Sequence, residues 1–301
     1  MLSASLTRPI LNFMPDAHGF LGRVFLCLTF LGILLVAAGL AVAGRMLAER
    51  FFAPYRVSEN SREIAVVAAM VLTLFALLLA FAIVTLYDQR RDAETAVARE
   101  GSDLAMIARD SRALAKANAA GDDESVPAFY DNAYKYIAFV VIEEFPAMYD
   151  GREVPEASRT CVTNLFSALW NANPTAPAAA PFYDAAVRQA NDLVAQRHAR
   201  LTGIDAALPS AFVFLLFVAG GIAVGLMCFV KASDAWVERG LVVSVAVVIT
   251  SGMLAAFVLE FPFSGPLAIS SDPIVKGFLT NLDVPDAILP EFPKDPSCVV
   301  A

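Results

Sequence analysis

Residues 64–94 read IAVVAAMVLTLFALLLAFAIVTLYDQRRDAE, and the architecture can be built outward from them. Across 64–87 no residue carries a charge. At about 1.5 Å per residue, a helix of that length exceeds the roughly 30 Å hydrocarbon core of a bilayer. Lipid offers no partner for an open backbone group, so such a segment has to be helical. The charges then arrive together: Asp88, Arg90, Arg91, Asp92 and Glu94. Beyond them Val97, Leu104, Ile107 and Leu114 resume an apolar stripe at helical spacing, so the membrane helix is predicted to run on out of the bilayer.

Three further uncharged runs can span a bilayer, at 24–44, 211–230 and 240–259. Composition agrees: 58% of the 301 residues are hydrophobic and 17% charged, with a mean hydropathy of +0.61, where soluble domains carry about 45–50% and about 25%. The reading is an all-α polytopic membrane protein with four transmembrane helices in two hairpins, 24–87 and 210–260, and the inner (plasma) membrane as its location. A tail, 1–23, precedes the first hairpin. A helical extramembrane domain, 88–209, is inserted between helices 2 and 3, and a proline-rich tail, 261–301, ends the chain. Ala41-Val42-Ala43 has the form of a signal-peptidase site, but the apolar run around it is too long for a signal peptide, so a retained span is expected.

Within the inserted domain the periodicity is helical throughout. Gly121-Asp122-Asp123 is expected to end the helix that leaves the membrane. A stripe of Phe129, Ala133, Ile137, Val140 and Val141 follows, stopped by Pro146. Leu165, Leu169 and Trp170 mark a third helix, and Phe182, Ala186, Leu193 and Leu201 a fourth, with the proline-rich run 173–181 between them. Phe129, Tyr130, Tyr134 and Tyr136 are expected in the core, as large aromatics dominate helix packing. In the C-terminal tail one short helix is expected over 274–282.

Several chemistries find no support. The net charge of −8 offers no basic face for nucleic acid. Two histidines and no Cys-x-x-Cys give no ligand spacing for a metal or haem, no phosphate loop or nucleophile elbow is present, and the expectation is a protein that is not an enzyme and uses no cofactor. None of the spans holds an ionisable residue, which disfavours a coupled transporter and leaves a passive pore gated at an apolar constriction. Its candidate lining is Val71, Phe75 and Leu79, or alternatively Leu77, Phe81 and Thr85, each set at four-residue spacing on the second span; the same spacing describes ordinary helix packing. Asp88, Arg90 and Arg91 are candidate charges at the membrane mouth, or an interfacial anchor that pairs with itself. Gly221-x-x-x-Gly225 is a candidate helix-packing motif, with Gly39 and Ala43 a weaker pair. Glu143-Glu144 reads as a solvated face.

Four spans place both termini and the inserted domain on one side and the two short connections on the other. The short connections hold Arg45, Arg50, Arg56, Arg62, Lys231 and Arg239, against Arg8 and Arg23 in the N-terminal tail; the positive-inside rule then points to the domain outside, with Arg90-Arg91 beside the second span standing against it. Cys161 and Cys298 fall on the domain's side, where an oxidising compartment would permit a disulfide between them; two unpaired thiols are the alternative.

Glu59-Asn60, Leu78-Leu79-Ala80-Phe81, Tyr87-Asp88 and Arg90-Arg91 resemble the bacterial bestrophin-like membrane protein family, a domain of unknown function. Phe145-Pro146-Ala147-Met148 looks like that family's aromatic-Pro-Ala-Met segment. The stretch from Leu259 to Leu267, with Glu260, Pro262, Phe263 and Gly265, looks like its post-membrane signature, with Phe261 where the family commonly has a basic residue. The resemblance spans about residues 24 to 280. It implies four spans in two hairpins with a helical insertion and, through distant similarity to bestrophins, an oligomeric anion channel with the domain and termini in the cytoplasm. The partners expected are the lipid bilayer, further copies of the chain as a homo-oligomer, and ions. The alternative is a non-conducting scaffold or accessory protein whose helical domain binds another protein.

Overall fold

The computed structural model describes residues 20–52, 61–118, 125–172, 174–203, 208–230, 234–265 and 267–281. Among these every regular element is helical. They are α1 (Phe20–Phe52), α2 (Ser61–Ala117), α3 (Ser125–Phe139), a π-helical turn (Val140–Glu144), α4 (Phe145–Tyr149), α5 (Ala157–Asn171), α6 (Ala180–Thr202), α7 (Ser210–Met227), α8 (Ala235–Leu259) and α9 (Asp272–Asn281). The chain forms two units. One comprises 1–89, 206–261 and 265–267, the other 90–205, 262–264 and 268–301.

The first unit holds the four membrane-length helices: α1, the first part of α2, α7 and α8. α1, α2 and α8 run past the uncharged stretches, α1 to Phe52 and α8 from Ala235, because freedom from charge marks the hydrocarbon core whereas a helix continues into the interface, where charged and aromatic residues are welcome; α7 instead ends at Met227, short of the expected 211–230. Trp236 and Arg239 occupy that first turn of α8, with the guanidinium 6.0 Å from the ring centre. Phe75, Ala82, Leu216, Ala223 and Ile249 form one buried cluster, and Ala41, Cys228, Val242 and Ala246 another. Side chains pack directly onto the backbone at Gly220, where an added Cβ would lie 3.2 Å from the Ile249 side chain and 3.3 Å from the Phe75 ring.

The second unit is built on the rest of α2, which is one helix of 57 residues. Val97, Leu104 and Ile107 from α2, Ala133, Tyr136 and Ile137 from α3, Leu165 and Leu169 from α5, and Ala186 and Leu193 from α6 share one core. The stripes read in the sequence are thus the faces that meet. Trp170 and Phe182 are exceptions: Trp170 is 71% exposed although Leu169 beside it is buried, since α5 ends one residue later, and Phe182 is exposed in the first turn of α6. Gly121-Asp122-Asp123 lies outside the described residues, as do the side chains of Phe129 and Tyr130. Tyr136 is buried, whereas Tyr134 is only partly covered.

Pro146 does not stop the helix that precedes it. The chain stays helical from Ser125 to Tyr149, passing through a π turn over Val140–Glu144 that hands on to α4 with Pro146 in its first turn. A proline inside an α-helix removes one hydrogen bond and presses its ring on the carbonyl four residues back; the wider i→i+5 turn relieves both. The short helix expected in the tail is α9. An added Cβ on Gly101 would lie 2.7 Å from the Ile274 Cα, and one on Gly277 would lie 3.2 Å from the Gly101 carbonyl carbon. The two glycines let the α9 backbone rest on that of α2.

Candidate functional site

In the membrane unit the two faces of α2 have different roles. Ala68, Phe75, Ala82 and Leu86 are buried, at seven-, seven- and four-residue steps. Phe75, 2% exposed, sits against Gly220 and Ile249, with Val71 and Leu79 partly buried in the same cluster. This first candidate set therefore turns into its own bundle, and Gly220 supplies the room that draws Phe75 there. The opposite face carries Met70, Leu74, Leu77, Phe81 and Val84, all exposed. Phe81 is 64% exposed and meets Phe212 edge-on at 6.3 Å. Thr85 donates its hydroxyl to the Phe81 carbonyl at 2.9 Å, so it is satisfied within the helix. Gly221 and Gly225 have nothing within 4 Å of an added Cβ; their face of α7 is open in the single chain. Past the span, Asp88 and Arg91 are exposed, and Arg90 pairs with Glu94 at 3.1 Å.

Arg45 ties the two hairpins together. Its guanidinium donates to the Cys228 carbonyl, to the Val230 carbonyl at 3.2 Å, to Glu49 at 3.1 Å and to Glu238. A cation at the carbonyl end of α7 is where the helix dipole favours one.

The extramembrane unit holds a second constellation, organised around Arg200. This side chain is wholly buried and grips two carboxylates: Nε and Nη2 reach Glu100 at 2.7 and 3.0 Å, and Nη2 reaches Glu144 at 2.5 Å. Arg197 donates to Glu144 at 2.9 Å and to Ser158, the Ser158 hydroxyl donates to Glu144, and the Tyr136 hydroxyl donates to Glu100. Two acids thus face two guanidiniums. Burial by itself would raise the Glu144 carboxyl, but Arg200, Arg197 and the Ser158 hydrogen bond outweigh it and hold it below the ordinary carboxylate value. Burial first, and then the two carboxylates, push the Tyr136 phenol well above its usual range. Glu144 is thus not on a solvated face, as its charge suggested; only Glu143 is exposed.

The two most distinctive motifs of the sequence meet beside this network. The Phe145 ring lies 5.4 Å from the Arg200 guanidinium on one side and 6.1 Å, edge-on, from Phe263 on the other. The Met148 sulfur is 3.2 Å from Arg200. Ser264 donates to the Tyr149 carbonyl at 2.8 Å and the Ile269 N–H to the Pro262 carbonyl at 2.8 Å. Gly265 makes this turn with φ of 77°, a left-handed conformation that favours glycine. Glu260 caps α8, its N–H donating to Ala256 at 3.0 Å. With two guanidiniums facing two carboxylates, the network ties α2, α3, α4, α5 and α6 together in register.

Glu100, Arg197 and Arg200 were not singled out in the sequence, yet a signal was there. Glu100 stands in phase with Val97, Leu104 and Ile107, Glu144 with Ile137 and Val140, and Arg197 and Arg200 with Ala186, Ala190 and Leu193. Charges on the apolar stripes of three helices have to find one another when those stripes pack.

The bestrophin-like domain family matches residues 35–274 of the chain. No curated protein matches it. Among solved structures, a bacterial bestrophin homologue from Klebsiella pneumoniae carrying a point substitution superimposes with a TM-score of 0.61 at 12% identity, covering 83% of this chain and 97% of that one. A membrane protein carrying a point substitution gives 0.58 at 12% identity, over 84% and 97%. A further structure of a bacterial bestrophin homologue from Klebsiella pneumoniae, with a different substitution, gives 0.56 at 13% identity, over 84% and 98%. At these identities the likeness is one of fold.

Proposed function

The chain belongs to the bestrophin-like family, and from that premise we propose that it assembles as a homo-oligomer in the inner membrane and conducts ions passively along an axis lined by α2. One observation carries this reading. The membrane part of α2 buries Ala68, Phe75, Ala82 and Leu86 in its own bundle and leaves an apolar face, Met70, Leu74, Leu77, Phe81 and Val84, uncovered. That open face is free to meet further copies of the chain. Around a symmetry axis, Leu77 and Phe81 form stacked apolar rings, one turn apart, that gate by dewetting. The exposed Asp88 and Arg91 form the charged mouth at the end of the span.

Within this reading the constriction falls to Leu77 and Phe81, and Phe75 is a packing residue. The test is ion flux through purified protein in liposomes: Leu77→Asn and Phe81→Asn, which wet the rings, are expected to raise flux several-fold. Flux unaltered by both would remove α2 as the lining. A scaffold that binds another protein instead predicts no flux at all.

A further inference from the structure

Cys161 lies in the interior of the extramembrane unit, 1% exposed among the core residues, and it is disulfide-bonded. Cys27 and Cys228, both in the membrane unit, are free thiols. A buried cross-link of this kind is informative about compartment. Cytosolic glutathione and thioredoxin keep thiols reduced, whereas disulfides form and persist outside the cytoplasm. An independent observation points the same way. By the count of four spans, the connection between α1 and α2 and that between α7 and α8 fall on the side opposite residues 90–205, and the sequence in and beside them holds Arg45, Arg50, Arg56, Arg62, Lys231 and Arg239. The charge rule counts short connections such as these and assigns them to the cytoplasm; a segment as long as the extramembrane unit crosses regardless of its own charge.

We infer that the extramembrane unit faces the oxidising, non-cytoplasmic side of the membrane, where the Cys161 disulfide is a permanent staple, and that the two short basic connections face the cytoplasm. This is the reverse of the sidedness that the resemblance to bestrophins implies. It holds whether or not the protein conducts. Closing the bond takes two protons and two electrons from the Cys161 thiol and its partner thiol. A disulfide-carrying oxidase of that compartment accepts them by thiol–disulfide exchange and is left as its dithiol. Since Cys27 and Cys228 are free and the chain has four cysteines, the partner to be expected is Cys298, which lies outside the described residues.

The full-length chain in intact cells, with any outer membrane permeabilised, tests this directly. In a Cys27→Ala background, single reporters are placed at exposed positions of each side: Ser167→Cys on α5 and Ala235→Cys at the start of α8. A membrane-impermeant maleimide is expected to label Ser167→Cys before lysis and Ala235→Cys only afterwards. Peptide mapping of the unmutated protein, its thiols blocked at harvest, is expected to recover Cys161 in a disulfide with Cys298. Labelling of Ala235→Cys before lysis with Ser167→Cys protected overturns the inference. So does mapping that finds Cys161 as a free thiol.

Discussion

Arg200 has no exposed surface and holds both Glu100 and Glu144 at 3.0 Å or less. Arg200→Met keeps the volume and leaves two buried carboxylates short of a partner, which costs on the order of 3–5 kcal/mol. Thermal unfolding of the detergent-solubilised protein should show that loss, with Arg200→Lys only partly restoring it, because an ammonium cannot reach two carboxylates as a planar fork does. The same site sets an acid limit. The Glu144 carboxyl is held below 4.5 in the fold, so its contribution is complete above the unfolded value near 4.5 and is lost as pH falls through the lower folded value. Asp103 has the opposite sign. Burial first, then Asp192 and Glu100 against the pull of Arg99, raise it from 3.8 to about 6, and its buried Oδ2 has no hydrogen-bond partner. The folded state therefore holds a proton that the unfolded chain has lost between 3.8 and about 6, and stability falls as pH rises through that window. Asp103→Asn should flatten this slope in a pH series of melting temperatures and stabilise the protein at pH 8, by about 1 kcal/mol or less once solvent screening of this partly exposed group is counted. Apart from Glu144, which the sequence placed on a solvated face, none of these residues stood out, because a charge in phase with an apolar stripe looks like noise until the partner stripe that carries its counter-charge is brought against it.

Among the helices, α2 and α9 give the sharpest predictions. Gly101 has no room for a side chain, since its added Cβ would press on the backbone of Ile274 and not on a movable side-chain end. Gly101→Ala should cost about 1–3 kcal/mol through overpacking. Hydrogen exchange across 272–281 should accelerate while that of α5 is little changed; equal acceleration in both would mean the unit loosens as a whole. In the membrane part of α2, Phe75→Ala opens a cavity beneath Gly220 and should destabilise by about 3–5 kcal/mol, whereas Phe81→Ala should leave the melting temperature of the single-chain bundle nearly unchanged. Equal losses for the two would contradict the assignment of faces. The existence of α2 and its passage beyond the bilayer were legible from an uncharged run followed by an in-phase stripe. Which side of α2 packs inward was not, because Val71, Phe75 and Leu79 are as apolar as Leu77 and Phe81; Gly220, on another helix, decides it. Pro146 misled for a related reason: proline forbids an α-helical bond, but a π turn one step earlier is not written in any residue type.

For the molecule as a whole, four spans and a helical insertion were readable because bilayer thickness translates directly into the length of an uncharged run. The post-membrane signature was readable as a motif, but its meeting with Phe145-Pro146-Ala147-Met148 through Phe263 and Ser264 spans more than a hundred residues of sequence and needed the fold. Assembly is not written in one chain's periodicity at all: an exposed apolar face on a membrane helix suits lipid and a second subunit equally. The open face of Gly221 and Gly225 on α7 favours the subunit, since small residues suit close helix approach. The central claim is therefore best tested on the unmutated protein reconstituted into liposomes, by recording halide and cation flux from the same preparation whose oligomer mass is determined. A closed ring of three or more copies is expected, with flux that rises with protein density; a monomer or dimer with no flux across a range of pH and membrane tension would contradict a conducting oligomer.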